Sequence, residues 1–70
     1  MLGEQPAVVE TAKPFDLHGV TYWDFTLRLD DGTTLTNRIG AESVPDTGLR
    51  QGEHVLAIVA ANMVVAIRRP

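Results

Sequence analysis

The amino-acid sequence predicts an all-β fold, a small five-stranded barrel with one short helical turn. Three observations carry that reading. No stretch of the 70 residues sustains a helical period. The apolar positions instead alternate or run together, and they are rich in β-branched residues. Turn-forming residues then divide the chain into five strand-length runs.

Residues 1–6 read as a flexible N-terminus ahead of one barrel domain over residues 7–70. The first strand is Ala7-Val8-Val9-Glu10-Thr11-Ala12, ended by Lys13-Pro14 because proline has no N–H to give to a ladder. Phe15 to Gly19 is expected to be a connecting loop. From Val20 to Asp30 the alternation is regular. Trp23, Phe25, Leu27 and Leu29 face one way, and Tyr22, Asp24, Thr26 and Arg28 the other. Asp31-Gly32 suits a tight hairpin turn that needs positive φ. Thr33 to Ile39 returns with Leu35 and Ile39 inward and Thr34, Thr36 and Arg38 outward; Asn37 is the polar exception on the inward side.

Gly40 to Gly52 has no strand pattern. Ser43-Val44-Pro45-Asp46-Thr47 is expected to supply the helical turn, stopped by Gly48. Two apolar strands follow, His54–Val59 and Val64–Arg68, joined through Ala60-Ala61-Asn62-Met63. Asn62 is the expected turn residue, since asparagine tolerates the left-handed region. In this last hairpin Val55, Ala57 and Val59 share one face and Leu56 and Ile58 the other. Met63, Val65 and Ile67 likewise oppose Val64 and Ala66. Strands apolar on both sides are buried on both sides. The pattern predicts a second copy or a neighbouring domain over the 55–67 hairpin.

Size and composition point the same way. A domain this short buries only about 60% of the surface its unfolded chain exposes, and small domains are reinforced by disulfides, a metal or association. The sequence has no cysteine, and His18 and His54 stand alone without ligand-like spacing. No metal cation is expected, which leaves association. The net charge is −3 and the pI about 5.1, an unfavourable balance for a polyphosphate backbone; no nucleic-acid partner is expected. Met1 to Pro6 has neither a basic stretch nor an apolar run of the signal-peptide kind. No apolar segment reaches the roughly 18 residues of a membrane span. The expectation is a soluble, cytoplasmic domain without membrane insertion. His18 with Asp16 and His54 with Glu53 lie in polar loops and show no nucleophile–base pairing, so no enzymatic activity is expected.

The segment from Leu29 to Ile67 carries a more specific pattern. It contains Leu29-Asp30-Asp31-Gly32, Leu35-Thr36 and Ile39, then Glu42-Ser43-Val44 and Gly48-Leu49-Arg50-Gln51-Gly52-Glu53 with Val55. It ends with Ala57-Ile58-Val59, Ala61 and Val64-Val65-Ala66. In order and spacing this resembles the small molybdate-binding Mop domains and the related transport-associated OB-type (TOBE) domains. The resemblance implies an OB-like barrel that binds molybdate or tungstate where domains associate, in storage, transport or regulation. Backbone N–H groups at turns, with hydroxyls and a cation, make physical sense as such a site. Carried onto this chain, the resemblance implies anion-binding positions at Gly40, Ser43, Ala61 and Asn62; Arg38, outward and next to Gly40, is read as a cation able to stand in for the lysine the family carries.

The chain departs from the family at the binding hairpin. Where the family usually reads Lys-Ala-Ser, this sequence has Ala60-Ala61-Asn62, and the family's Ser-Ala-Arg-Asn start has no counterpart. The threonine that commonly follows the central isoleucine is Gly40 here. The missing lysine removes a charge-assisted hydrogen bond worth roughly 1.5–3 kcal/mol. Two functions therefore stand side by side. One is a small oxyanion-binding domain; the other is a structural or regulatory interaction module that keeps the barrel and has lost the anion.

Overall fold

A computed structural model describes residues 2–70. The alternating apolar runs form five antiparallel strands: β1 (Leu2–Leu17), β2 (Val20–Leu29), β3 (Thr34–Gly40), β4 (His54–Ala60) and β5 (Met63–Arg68). They make one sheet in the order β3-β2-β1-β4-β5. The all-β class and the strand number match the sequence expectation. The backbone ladder does not pass from β3 to β5, so the sheet is open. Its two edge strands nevertheless meet. The Asn37 side chain on β3 spans them, its Oδ1 accepting the Val64 N–H of β5 at 2.9 Å.

Strand β1 is longer than its pattern suggests. Residues 2–6, read as a flexible terminus, belong to it: Leu2 to Val8 pair with β4 from Ala60 back to His54. Phe15, Asp16 and Leu17, read as loop, pair with Tyr22, Thr21 and Val20 of β2. Lys13-Pro14 does not end the strand. The two prolines fit because β1 is paired on both sides only near Ala7 and Val8. Pro6 and Pro14 each have one unpaired flank, where a missing N–H deprives no partner. A register shift between Val9 and Thr11 leaves Glu10 as an extra residue, and such bulges bend a strand. This bend lets one strand serve both hairpins.

Local turn chemistry sets the register of those hairpins. His18 and Gly19 have φ of 53° and 80°, a two-residue turn of the kind whose twist matches antiparallel strands. At the β2–β3 turn Gly32 has φ of 88°, and its N–H donates to Leu29 O at 2.9 Å. Asp31 Oδ1 accepts the Thr33 N–H at 2.8 Å, a local bond characteristic of Asp in turns. Ala61 and Asn62 join β4 to β5 with φ of 50° and 64°. Asparagine tolerates that region; alanine pays about 1 kcal/mol or more there.

Two expectations about the second half are corrected. The helical turn is a 3-10 turn at Ala41–Ser43 rather than at 43–47. Pro45 to Gly48 instead forms a separate turn, with the Gly48 N–H on Pro45 O at 2.8 Å. Strand β5 does not alternate as read: Val64 and Ile67 both point inward, 2% and 3% exposed. The register shift that leaves Val65 unpaired explains this, because one extra residue reverses the facing of all that follow.

The core gathers on the concave side of the curled sheet. Val9 of β1, Phe25 and Leu27 of β2, Val55 and Ala57 of β4 and Val64 of β5 are essentially inaccessible. Val44 and Leu49, from the segment between β3 and β4, are buried against the same cluster. Trp23 is half-buried and packs on Gly48, where any Cβ would stand 2.6 Å from the indole. Among the described residues, no helix is long and apolar enough to cross a membrane. Substituting Asn37 by Ala is expected to strand the buried Val64 N–H at a cost of about 1–3 kcal/mol. For a domain of this size that lowers Tm by roughly 5–15 °C, measurable by thermal unfolding; an unchanged Tm would show that the bridge contributes nothing.

Candidate functional site

The residues expected to hold an oxyanion divide between two places. Arg38 and Gly40 lie on the outer face of β3, and the register sets Lys13, Asp24 and Arg38 side by side across β1, β2 and β3. Arg38 is committed within that row. Its Nε and Nη2 donate to the two carboxylate oxygens of Asp24 at 2.6 and 3.0 Å. Its guanidinium also lies 4.2 Å from the centre of the Phe15 ring. The hydrogen bond from Arg38 holds the Asp24 carboxyl below its ordinary range, and the same bond raises the Arg38 guanidinium. The cation assigned to an anion is already neutralised.

Gly40 ends β3 in an extended conformation, with φ of −69°. Glu42 folds back over it, its carboxyl carbon 2.7 Å from where a Gly40 Cβ would stand. A negative charge thus occupies the space beside the expected backbone donor. Ser43, half-buried in the 3-10 turn, lines a shallow cleft with Pro45, the Ala66–Arg68 end of β5 and Arg69 beyond it. Ala61 and Asn62 sit exposed at the opposite end of β5. From Asn62 to Ala66 is four residues, roughly 13 Å along a strand. Gly40 and Ser43 share one connection, Ala61 and Asn62 share one turn, and a single chain does not join the two pairs.

The outer face of β1, β2 and β3 carries contacts that the sequence reading missed. Phe15 and Tyr22 stack with ring centres 5.5 Å apart, because the His18-Gly19 turn puts them directly opposite. The signal was present in His18-Gly19, a turn dipeptide, but the preceding Pro14 argued for a loop. Thr26 and Thr36 share a hydrogen bond at 2.9 Å in the next row. His18 occupies the turn and His54 opens β4, while Asp16 accepts the Thr21 hydroxyl at 2.7 Å and Glu53 binds Arg69 at 2.9 Å.

The outer face of β1, β4 and β5 differs in character. Leu56, Ile58 and Ala66 are half-buried there, and Met63 and Val65 are 56% and 42% exposed. Glu4 and Arg68 reach across β4 from its two neighbours and pair at 2.6 Å, with the Glu4 carboxyl lowered by that hydrogen bond. Comparison with protein-family models, curated proteins and solved structures gives no match to this chain.

The Arg38–Asp24 pair gives a pH signature. Because the folded Asp24 has a lowered pKa, its contribution to stability is present above the unfolded aspartate value, about 3.9. It is lost as pH falls through the lower folded value. In Arg38→Gln, Asp24 is expected to titrate back in the ordinary aspartate range, read by carboxyl 13C shifts. An unmoved titration would mean that Arg38 is not what holds it down.

Proposed function

We propose that this chain is a non-catalytic interaction module of the cytoplasm, built on an OB-like barrel, that works as two copies joined through the outer face of β1, β4 and β5. The barrel reading rests on the Asn37 bridge: following it carries the sheet round from β3 to β5, as closure of a small five-stranded barrel requires. The association rests on one observation, the apolar outer surface of the last hairpin, with Met63 and Val65 open to solvent beside Leu56 and Ile58. A domain of this size has little core to spare, so covering that face adds burial the monomer lacks. The face is also balanced in charge. It carries Glu4 and Arg68 as a neutral pair, so two such faces meet without net charge repulsion.

Sedimentation equilibrium tests this reading. The expected mass is twice 7.6 kDa and depends on concentration. Ile58→Lys, a change on the outer face, is expected to give the single-chain mass with the fold retained. A wild-type mass of one chain at every concentration would remove the proposal.

A second reading, binding of molybdate or tungstate, is favoured by the Gly48-Leu49-Arg50-Gln51-Gly52-Glu53 phrase and the hairpin behind it. The separation of Gly40 and Ser43 from Ala61 and Asn62 then requires an interface at which one copy supplies each pair. Isothermal titration with molybdate, tungstate and sulfate is expected to give heat with the first two, weakened several-fold in Asn62→Ala. Absence of heat with all three leaves the interaction module alone.

A further inference from the structure

The segment before β4 is held more firmly than its lack of regular structure suggests. The Gly52 N–H donates to Val9 O at 2.7 Å, and the Val9 N–H donates to Glu53 O at 2.9 Å. The loop thereby continues the β1–β4 pairing past His54. Within it the Glu53 N–H donates to Arg50 O at 3.1 Å, and Gly52 takes φ of 84°, a conformation glycine adopts without strain. The Glu53 carboxylate fastens two further parts. Oε1 accepts the Arg50 backbone N–H at 3.1 Å, and Oε2 forms an ion pair with Arg69 Nη2 at 2.9 Å. With its side chain only 17% exposed, Glu53 joins the turn to the C-terminal end of the chain.

Between these parts opens a cleft of about 780 Å³ lined by Thr47, Arg50, Gln51, Gly52, Glu53 and Arg69. Its charge is unusual for this molecule. The sequence holds nine Asp and Glu against six Lys and Arg, so a cation here readily finds a carboxylate. Arg28 pairs with Glu10, Arg38 with Asp24, Arg68 with Glu4 and Arg69 with Glu53. Of the five arginines, Arg50 has no ion pair among the described residues. Its backbone is fixed by Glu53, and Arg50 lines the cleft together with Arg69.

We propose that this cleft binds a phosphate group. Arg50 supplies the unpaired guanidinium, which matches oxyanions through paired N–H groups; Arg69, paired with Glu53, lines the same cleft. The Thr47 hydroxyl and the Gln51 amide add neutral donors from the same wall. Glu53, which also lines the cleft, is a positioning residue that holds the Arg50 backbone and the Arg69 side chain. The cleft is shallow and open to solvent, so the remainder of a phosphate ester meets no obstruction. This site is separate from Arg38, Gly40, Ser43, Ala61 and Asn62, and it does not require a second copy.

Titration of the 15N-labelled full chain with inorganic phosphate, and separately with glycerol phosphate, at constant ionic strength, tests the assignment. Saturable shifts are expected at Thr47, Arg50, Gln51 and Arg69. In Arg50→Gln the affinity is expected to fall about tenfold or more, with partial recovery in Arg50→Lys and the rest of the spectrum unchanged. Tighter binding of glycerol phosphate identifies a phosphorylated molecule as the ligand, and equal binding identifies free phosphate; both support the site. No saturable shift with either probe overturns it. So do shifts that Arg50→Gln leaves intact, which would mark an adventitious ion only, and shifts confined to Gly40–Ser43 or Ala61–Asn62.

Discussion

Five short antiparallel strands cannot enclose a core while they lie flat, so this fold depends on bringing the two ends of one sheet together. The chain does this with a side chain in place of a backbone ladder. Asn37 sits on the inward side of β3 between Leu35 and Ile39, and its carbonyl oxygen takes the Val64 N–H of β5. That N–H belongs to a residue 2% exposed, where an unpaired donor is costly. The bond satisfies the donor and ties β3 to β5, while Phe25, Leu27, Val55 and Ala57 pack into one buried cluster.

Two bulges make the curl possible. Glu10 lets β1 turn from β4 toward β2, and Val65 reorients β5 so that Val64 and Ile67 both reach the core. The outer surface is then divided by chemistry. Around β2 and β3 it is polar, with Arg38 held by Asp24 and Phe15. Around β4 and β5 it is apolar, and the Glu4–Arg68 pair crosses it. Nearly every arginine is spent on a neighbouring carboxylate, so the anion-binding capacity of the molecule cannot be read from its count of cations. It depends on which guanidinium the fold leaves without a partner.

The hairpin from Val20 to Ile39 was legible because its signals are local: strict alternation, and a glycine where φ must be positive. The two-residue turn at Ala61-Asn62 was legible in outline for the same reason. The length of β1 was not. Pro14 is a strand breaker only where both flanks of a strand are paired, and pairing is a property of the sheet. The β5 alternation failed at Val65 because nothing in a run of valines marks which one lacks a partner. The five residues suggested for an oxyanion were read from a likeness in order and spacing. Neither reveals that Asp24 and Glu42 fold against two of them.

The sequence by itself determined an all-β chain of five strands, the β2–β3 hairpin, the turns at Asp31-Gly32 and Asn62, and the two-sided apolar character of the last hairpin. These follow from periodicity and from the backbone preferences of single residues. Only the tertiary structure decided that Asn37 bridges the sheet, that prolines lie within β1, and that Arg38 is occupied while Arg50 is not. Each of those outcomes depends on a partner remote in the chain. A residue's own chemistry states what it is able to bind, and the fold alone selects which group it meets.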